Sequence, residues 1–192
     1  MNKTTNVVVA GLGGQGVLKV TDILAEVLFR AGFDVKKSEV HGMSQRGGDV
    51  QSNLRLSTDE IYSDLISKGG ADVIISMEPM ESLRYLPYLG KDGWIVTSSK
   101  PFVNIPNYPD EAALQAELKA LPRVSQLDID AIAKEVANPK AANMVLLGMA
   151  APYIEIVSVE QLREAIRTVF ARKGDAIVES NLKAFDAGVA HK

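Results

Sequence analysis

The stretch Asn6-Val7-Val8-Val9-Ala10-Gly11-Leu12-Gly13-Gly14-Gln15-Gly16-Val17 decides the fold. Its first five residues form a short, β-branched, almost wholly apolar run, as a strand covered on both faces requires. From Val17 onward, Val20, Leu24, Val27, Leu28 and Ala31 recur at three- and four-residue steps and give a helix one apolar face. Gly32 ends that helix, since glycine enters the left-handed cap without a steric penalty. Asp34 to Val40 reads as a second strand. Strand, helix and strand within about 35 residues make a βαβ unit, whose crossover is right-handed in ~98% of cases.

Outward from that unit the pattern continues. After a polar loop, His41 to Gly48, the residues Val50, Leu54 and Leu56 recur with a period near two, as in a strand with one wetter face. Ser57-Thr58-Asp59 is turn chemistry, and Glu60-Ile61-Tyr62 is placed to return as a short antiparallel partner. Asp72 to Ser76 is another buried, parallel-type strand, and Pro79 suits the first turn of the helix after it. Trp94 to Thr97 is the next strand. Lys100 to Pro109 holds Pro101, Pro106 and Pro109 and reads as a surface excursion. Asp110 to Leu121 is helical, Arg123 to Leu127 is a last strand, and Asp128 caps a short helix. Ser158 with Gln161 forms a capping box before the helical C-terminal third. The expectation is an α/β fold: a three-layer, doubly wound, mostly parallel sheet with helices on both faces and a Rossmann-like start. No repeat or linker divides the chain, so residues 1–192 read as one domain.

The chain has 192 residues, Lys+Arg 21 against Asp+Glu 24, a formal charge of -3 and no cysteine. Without cysteine it holds no disulfide, no thiol nucleophile and no cysteine-ligated iron–sulfur cluster. A mildly acidic balance with 6% aromatics opposes a nucleic-acid surface, because nothing would neutralise phosphates in bulk. The longest apolar run, Met144 to Ala151, is too short to span a bilayer. The first residues lack the apolar core of a signal peptide, so a cytoplasmic location is expected.

Seven of the 15 glycines lie in two segments, 11–16 and 42–48. The first, Gly11-Leu12-Gly13-Gly14-Gln15-Gly16, fits G-x-G-x-x-G between strand and helix. There, free N–H groups and the positive end of the helix dipole favour an anion such as phosphate, and a tight turn without ligand is the plainer alternative. A dinucleotide site also needs an acid at the end of the second strand. About twenty residues past Gly16 stand Lys36 and Lys37 instead, and Glu39 falls late.

The second segment, His41-Gly42-Met43-Ser44-Gln45-Arg46-Gly47-Gly48, lies beyond the carboxyl end of the second strand and should face the first loop. Arg46 offers a five-donor fork to a carboxylate or phosphate, or ties the loop to carbonyls or a neighbouring subunit. Gln45 adds a donor and an acceptor, Ser44 a hydroxyl, and Gly47 room for close approach. Glu39 and His41 share one face of their strand, but with no third ligand in view no metal site is assigned. No G-x-S-x-G elbow supports a serine hydrolase. Glu78 suits a helix N-terminus, and Asn143 suits a bond to a loop carbonyl. No catalytic residue is assigned.

At Gly11-Leu12-Gly13-Gly14-Gln15-Gly16-Val17-Leu18 and at His41 through Ser52 the chain resembles the gamma subunit of 2-oxoacid:ferredoxin oxidoreductases, of pyruvate, 2-ketoglutarate or indolepyruvate type. The beta subunit of indolepyruvate:ferredoxin oxidoreductase belongs to the same family. The similarity continues through Ala71 to Glu78, Asn143 to Gly148 and Asn181 to Gly188. The resemblance implies a subunit of a complex that decarboxylates a 2-oxoacid oxidatively to an acyl-CoA and passes electrons to ferredoxin. It places thiamine diphosphate, magnesium and the iron–sulfur clusters on a catalytic thiamine-binding subunit and a ferredoxin-like subunit. To this chain it leaves assembly or coenzyme A contact, through Gly11, Gly13, Gly14, Gln15, Gly16, Ser44, Gln45, Arg46 and Gly47. The alternatives are a stand-alone NAD(P)-binding reductase and a purely structural interaction subunit. Isolated from its partners, the chain is a candidate homodimer.

Overall fold

The computed structural model describes residues 4–42 and 47–191. Strand β1 (Thr5–Leu12) runs into the first glycine loop, and helix α1 (Val17–Arg30) leaves it. A hairpin follows, β2 (Asp34–His41) with β3 (Asp49–Ser57). Then come β4 (Ala71–Ser76), α2 (Pro79–Arg84), β5 (Leu89–Ser98), α3 (Glu111–Ala120) and β6 (Val124–Leu127). The C-terminal part is α4 (Ile129–Val136), α5 (Ala142–Ala150), α6 (Val159–Phe170) and α7 (Asp175–Val189). Capping at Asp128 and the Ser158/Gln161 box are as the sequence predicts.

The strands form one six-stranded sheet in the order β2-β3-β1-β4-β5-β6. Only β3 runs against the others. Val7 and Val9 of β1 pack into the larger core with α1 and α4 to α7, whereas Val8 and Ala10 pack on the opposite face. That alternation is why β1 has no polar face. Helix α2 covers the second face and meets α3 there, so helices do lie on both faces. Helix α5 is buried along its whole length. It crosses α7 where Gly148 and Gly188 bring the two backbones together: a Cβ on Gly148 would stand 2.1 Å from the Phe185 carbonyl oxygen.

Two expectations need correction. The βαβ unit is split, because antiparallel β3 is inserted between β1 and β2. Burial decides this order. β3 carries Val50, Leu54 and Leu56, all buried, and takes the interior place; β2, with Asp34, Lys36, Lys37 and Glu39, is left at the edge, where charge is solvated. The segment 60–62 is not a strand, since both edges of β3 are already taken. Instead the Ile61 N–H donates to Asp34 Oδ2 at 2.6 Å and the Ile61 side chain is buried. Among the described residues no helix is long and apolar enough to cross a membrane.

Candidate functional site

The chain leaves β1 in one direction along the sheet, to β2, and leaves β4 in the other, to β5, so the order reverses between β1 and β4. Open α/β sheets collect ligands at such a point, beyond the carboxyl ends of the strands. Here Met77 N donates to Ala10 O at 3.0 Å, closing β4 onto β1 just below the first glycine loop. That loop is held from within: Gln15 Oε1 accepts from Leu12 N at 2.8 Å, and Gln15 N donates to Leu12 O at 3.1 Å. Gln15 is thus a brace of the loop.

The two glycine segments meet, as their positions in the sequence predict. Gly13 N donates to Gly48 O at 2.8 Å, and Gly47 N donates to Gly13 O at 3.2 Å. Gly16 caps α1 with φ 82, in the left-handed region, without a side-chain cap and without an acid in the first turn of the helix. The first amides of α1 and the positive end of its dipole are therefore left for an anion. Asn143, at the start of α5, lies over Gly16; its Nδ2 is 3.4 Å from the Gly16 carbonyl oxygen, and a Cβ on Gly16 would come within 2.7 Å of it. Gly11, Gly13, Gly14, Gln15, Gly16 and Gly47 are in this way gathered on one rim. Ser44, Gln45 and Arg46 lie outside the described residues.

Sequence reasoning missed the third component. The segment 100–109 is not merely a surface excursion but a strap tied across the same rim. Glu78, fully buried, caps α2 by accepting from Glu81 N at 2.9 Å, and its other oxygen accepts from Phe102 N at 3.3 Å and from the Tyr108 hydroxyl. Three neutral donors thus satisfy the Glu78 carboxyl group, and the strap is pinned near both ends. In its middle, Asn104 Nδ2 donates to Gly47 O at 2.8 Å, while Asn104 Oδ1 is buried without a partner among the described residues. Burial, and then the bond to Glu78, pushes the Tyr108 phenol up from its ordinary value. Burial likewise raises the Glu81 carboxyl, against the Arg84 guanidinium that bonds it at 2.9 and 3.1 Å. The sequence signal was present but unread: Asn104 and Tyr108 are polar groups set among prolines next to the rim.

The lysines of β2 are otherwise engaged. Lys36 pairs with Asp34 at 3.5 Å, and Lys37 with Asp22 at 3.0 Å and Glu39 at 2.8 Å. The interposed β3 sets the end of β2 about 10 Å from β1, two strand spacings, instead of beside it as a dinucleotide ribose requires. A cleft of about 490 Å³ at the amino ends of the strands, lined by Asp72, Trp94 and Tyr153, holds none of the rim residues.

A split, mostly parallel sheet with two joined glycine loops at its switch point defines an α/β protein of the doubly wound class. The chain belongs to the pyruvate ferredoxin/flavodoxin oxidoreductase family, which matches residues 6–191. It is a gamma (IorB)-type subunit of 2-oxoacid:ferredoxin oxidoreductase complexes. It is 37% identical over 191 residues to the indolepyruvate oxidoreductase subunit IorB of Archaeoglobus fulgidus, covering 95% of this chain and 92% of that one. The keto/oxoacid ferredoxin oxidoreductase gamma subunit of Geobacter sulfurreducens superposes with a TM-score of 0.70 at 25% identity, over 96% of this chain and 95% of that one. The 2-oxoglutarate:ferredoxin oxidoreductase of Magnetococcus marinus, solved with 2-oxoglutarate, coenzyme A and succinyl-CoA bound, shares the fold. Its TM-score is 0.77 at 24% identity, over 99% of this chain and 31% of that one.

Proposed function

We propose that the joined glycine loops hold the phosphates of coenzyme A for a complex that converts a 2-oxoacid to an acyl-CoA and carbon dioxide. The observation that carries this reading is the reciprocal bonding of Gly13 with Gly47 and Gly48 above the uncapped start of α1. Those bonds hold the two loops together beside the positive end of α1, whose first amides have no side-chain cap and fit a phosphate. Arg46, one residue before Gly47, supplies the guanidinium that suits the same group. Coenzyme A, when bound, provides the thiol that accepts the acyl group; this chain's residues bind and orient its phosphate end. With no cysteine, the chain leaves the iron–sulfur clusters to partner subunits, and the family resemblance assigns thiamine diphosphate and magnesium to partner subunits as well. Those clusters would carry the two electrons of each turnover to ferredoxin.

A specific observation favours partner contact at the same rim. Phe102, Val103 and Ile105 of the strap are 52%, 71% and 36% exposed. An apolar edge beside the coenzyme loops suits the thiamine-bearing subunit, whose reacting carbon the coenzyme thiol must reach.

Steady-state kinetics of the assembled complex test the reading. Arg46→Ala is expected to raise the KM for coenzyme A by roughly tenfold or more, the loss of one charge-assisted hydrogen bond, and to leave the 2-oxoacid KM unchanged. An unchanged coenzyme A KM together with unchanged subunit affinity would sink it.

A further inference from the structure

Strand β2 is the last strand on one side of the sheet, and among the described residues only β3 pairs with it. The phase of that pairing is set twice. Gly42 N donates to Asp49 O at 3.2 Å, so even-numbered residues of β2 turn their backbone groups toward β3. Gly13 N donates to Gly48 O at 2.8 Å, which turns the even residues of β3 toward β1 and its odd residues toward β2, in agreement. Val35, Lys37, Glu39 and His41 therefore point their N–H and C=O groups away from the sheet. Such a row is a template for another strand.

We infer that this edge docks a second copy of the same chain, β2 against β2, antiparallel about a two-fold axis normal to the sheet. In that symmetry opposed residues share a face, so their numbers add to an even sum. Charge, together with pairing of the whole outward edge from Val35 to His41, selects the register. An axis at Lys37 or at Glu39 sets like charge directly against like charge, which destabilises a strand pair. An axis at Ser38 sets Lys37 of each copy against Glu39 of the other and Val35 against His41. Every outward backbone group from Val35 to His41 is then paired. Ser38 faces its own counterpart at the closer, non-hydrogen-bonded position, where a small side chain fits.

The same operation keeps α1 of both copies on one face of the joined sheet. Phe29, 72% exposed near the end of α1, and the cleft of about 490 Å³ that it lines with Asp22, Glu26, Val35 and Lys37 add apolar and charged surface beside the strand edge. This interface ends at His41, where the second glycine segment begins, and its test, the oligomeric state of the chain, is separate from that of the proposed function.

Because the chain has no cysteine, Ser38→Cys introduces a single thiol. Opposed Cα atoms at such a position lie about 4.5 Å apart, within disulfide range. Mild oxidation of the full chain is expected to give a covalent dimer, whereas Lys36→Cys, whose counterpart lies four residues along the strand, is expected to give none. In sedimentation equilibrium Lys37→Glu should weaken the dimer by about tenfold, and the exchange Lys37→Glu with Glu39→Lys should restore it, with circular dichroism confirming that each variant is folded. A wild-type monomer, failure of Ser38→Cys to cross-link, or an exchange that restores nothing would overturn the proposal. So would protection of the Lys37 and Glu39 amides from hydrogen exchange that appears only with a different subunit bound.

Discussion

The side-chain amide of Asn104 donates to the Gly47 carbonyl oxygen at 2.8 Å, joining a proline-rich strap to a glycine loop 57 residues away. Glu78 holds the same strap on either side of that bond, through Phe102 N and the Tyr108 hydroxyl. One buried carboxylate and one amide thus position a loop that has no regular structure of its own. The glycine rim and the exposed Phe102, Val103 and Ile105 keep a fixed relation because of it.

Removing the clasp should free the strap while the sheet survives. Glu78→Ala strands three donors, one of them the Tyr108 hydroxyl, and should cost about 1–3 kcal/mol for each donor left buried without water. Tyr108→Phe removes one donor and should cost about 1 kcal/mol. Hydrogen exchange and limited proteolysis are the checks: faster exchange and cleavage confined to 101–108 are expected. Unchanged exchange there in Glu78→Ala would contradict the clasp.

The α5–α7 crossing should tolerate no added carbon. A Cβ on Gly188 would lie 2.0 Å from the Val145 carbonyl oxygen, the mirror of the contact at Gly148. Gly148→Ala must push two buried helices apart, an overpacking cost of about 1–3 kcal/mol. For a chain of this size that lowers Tm by roughly 2–12 °C. A calorimetric Tm equal to wild type would show that the helices separate freely.

Glu81 gives a pH dependence. Its carboxyl is raised above 4.5 by burial, against the pull of Arg84, so the folded state binds this proton more readily than the unfolded state. The associated stability is present below 4.5 and is lost as the pH rises through the folded value. Wild type is therefore expected to gain Tm relative to Glu81→Gln as the pH falls from neutral toward 4.5. A difference that stays flat or changes the other way would refute the raised carboxyl.

Periodicity made most of the elements legible before any coordinates. The apolar run Val7-Val8-Val9-Ala10 and the stripe from Val17 to Leu28 are local signals, and β1 and α1 stand where they predict. The contact between the two glycine segments was legible too, because both follow the carboxyl ends of parallel strands. Strand order was not. A strand's pattern tells how much of it is buried and says nothing of its neighbour, so the insertion of β3 emerged only from competition between the apolar β3 and the charged β2 for an interior place.

The amino-acid sequence by itself determined the α/β class, the helix caps, the glycine rim and the absence of any cysteine-held cluster, because each rests on residues close together in the chain or on composition alone. Tertiary structure alone decided the split sheet, the strap and its clasp. Prolines silence local periodicity, and the bonds of Glu78 to Phe102 and Tyr108 and of Asn104 to Gly47 span separations that no local pattern encodes.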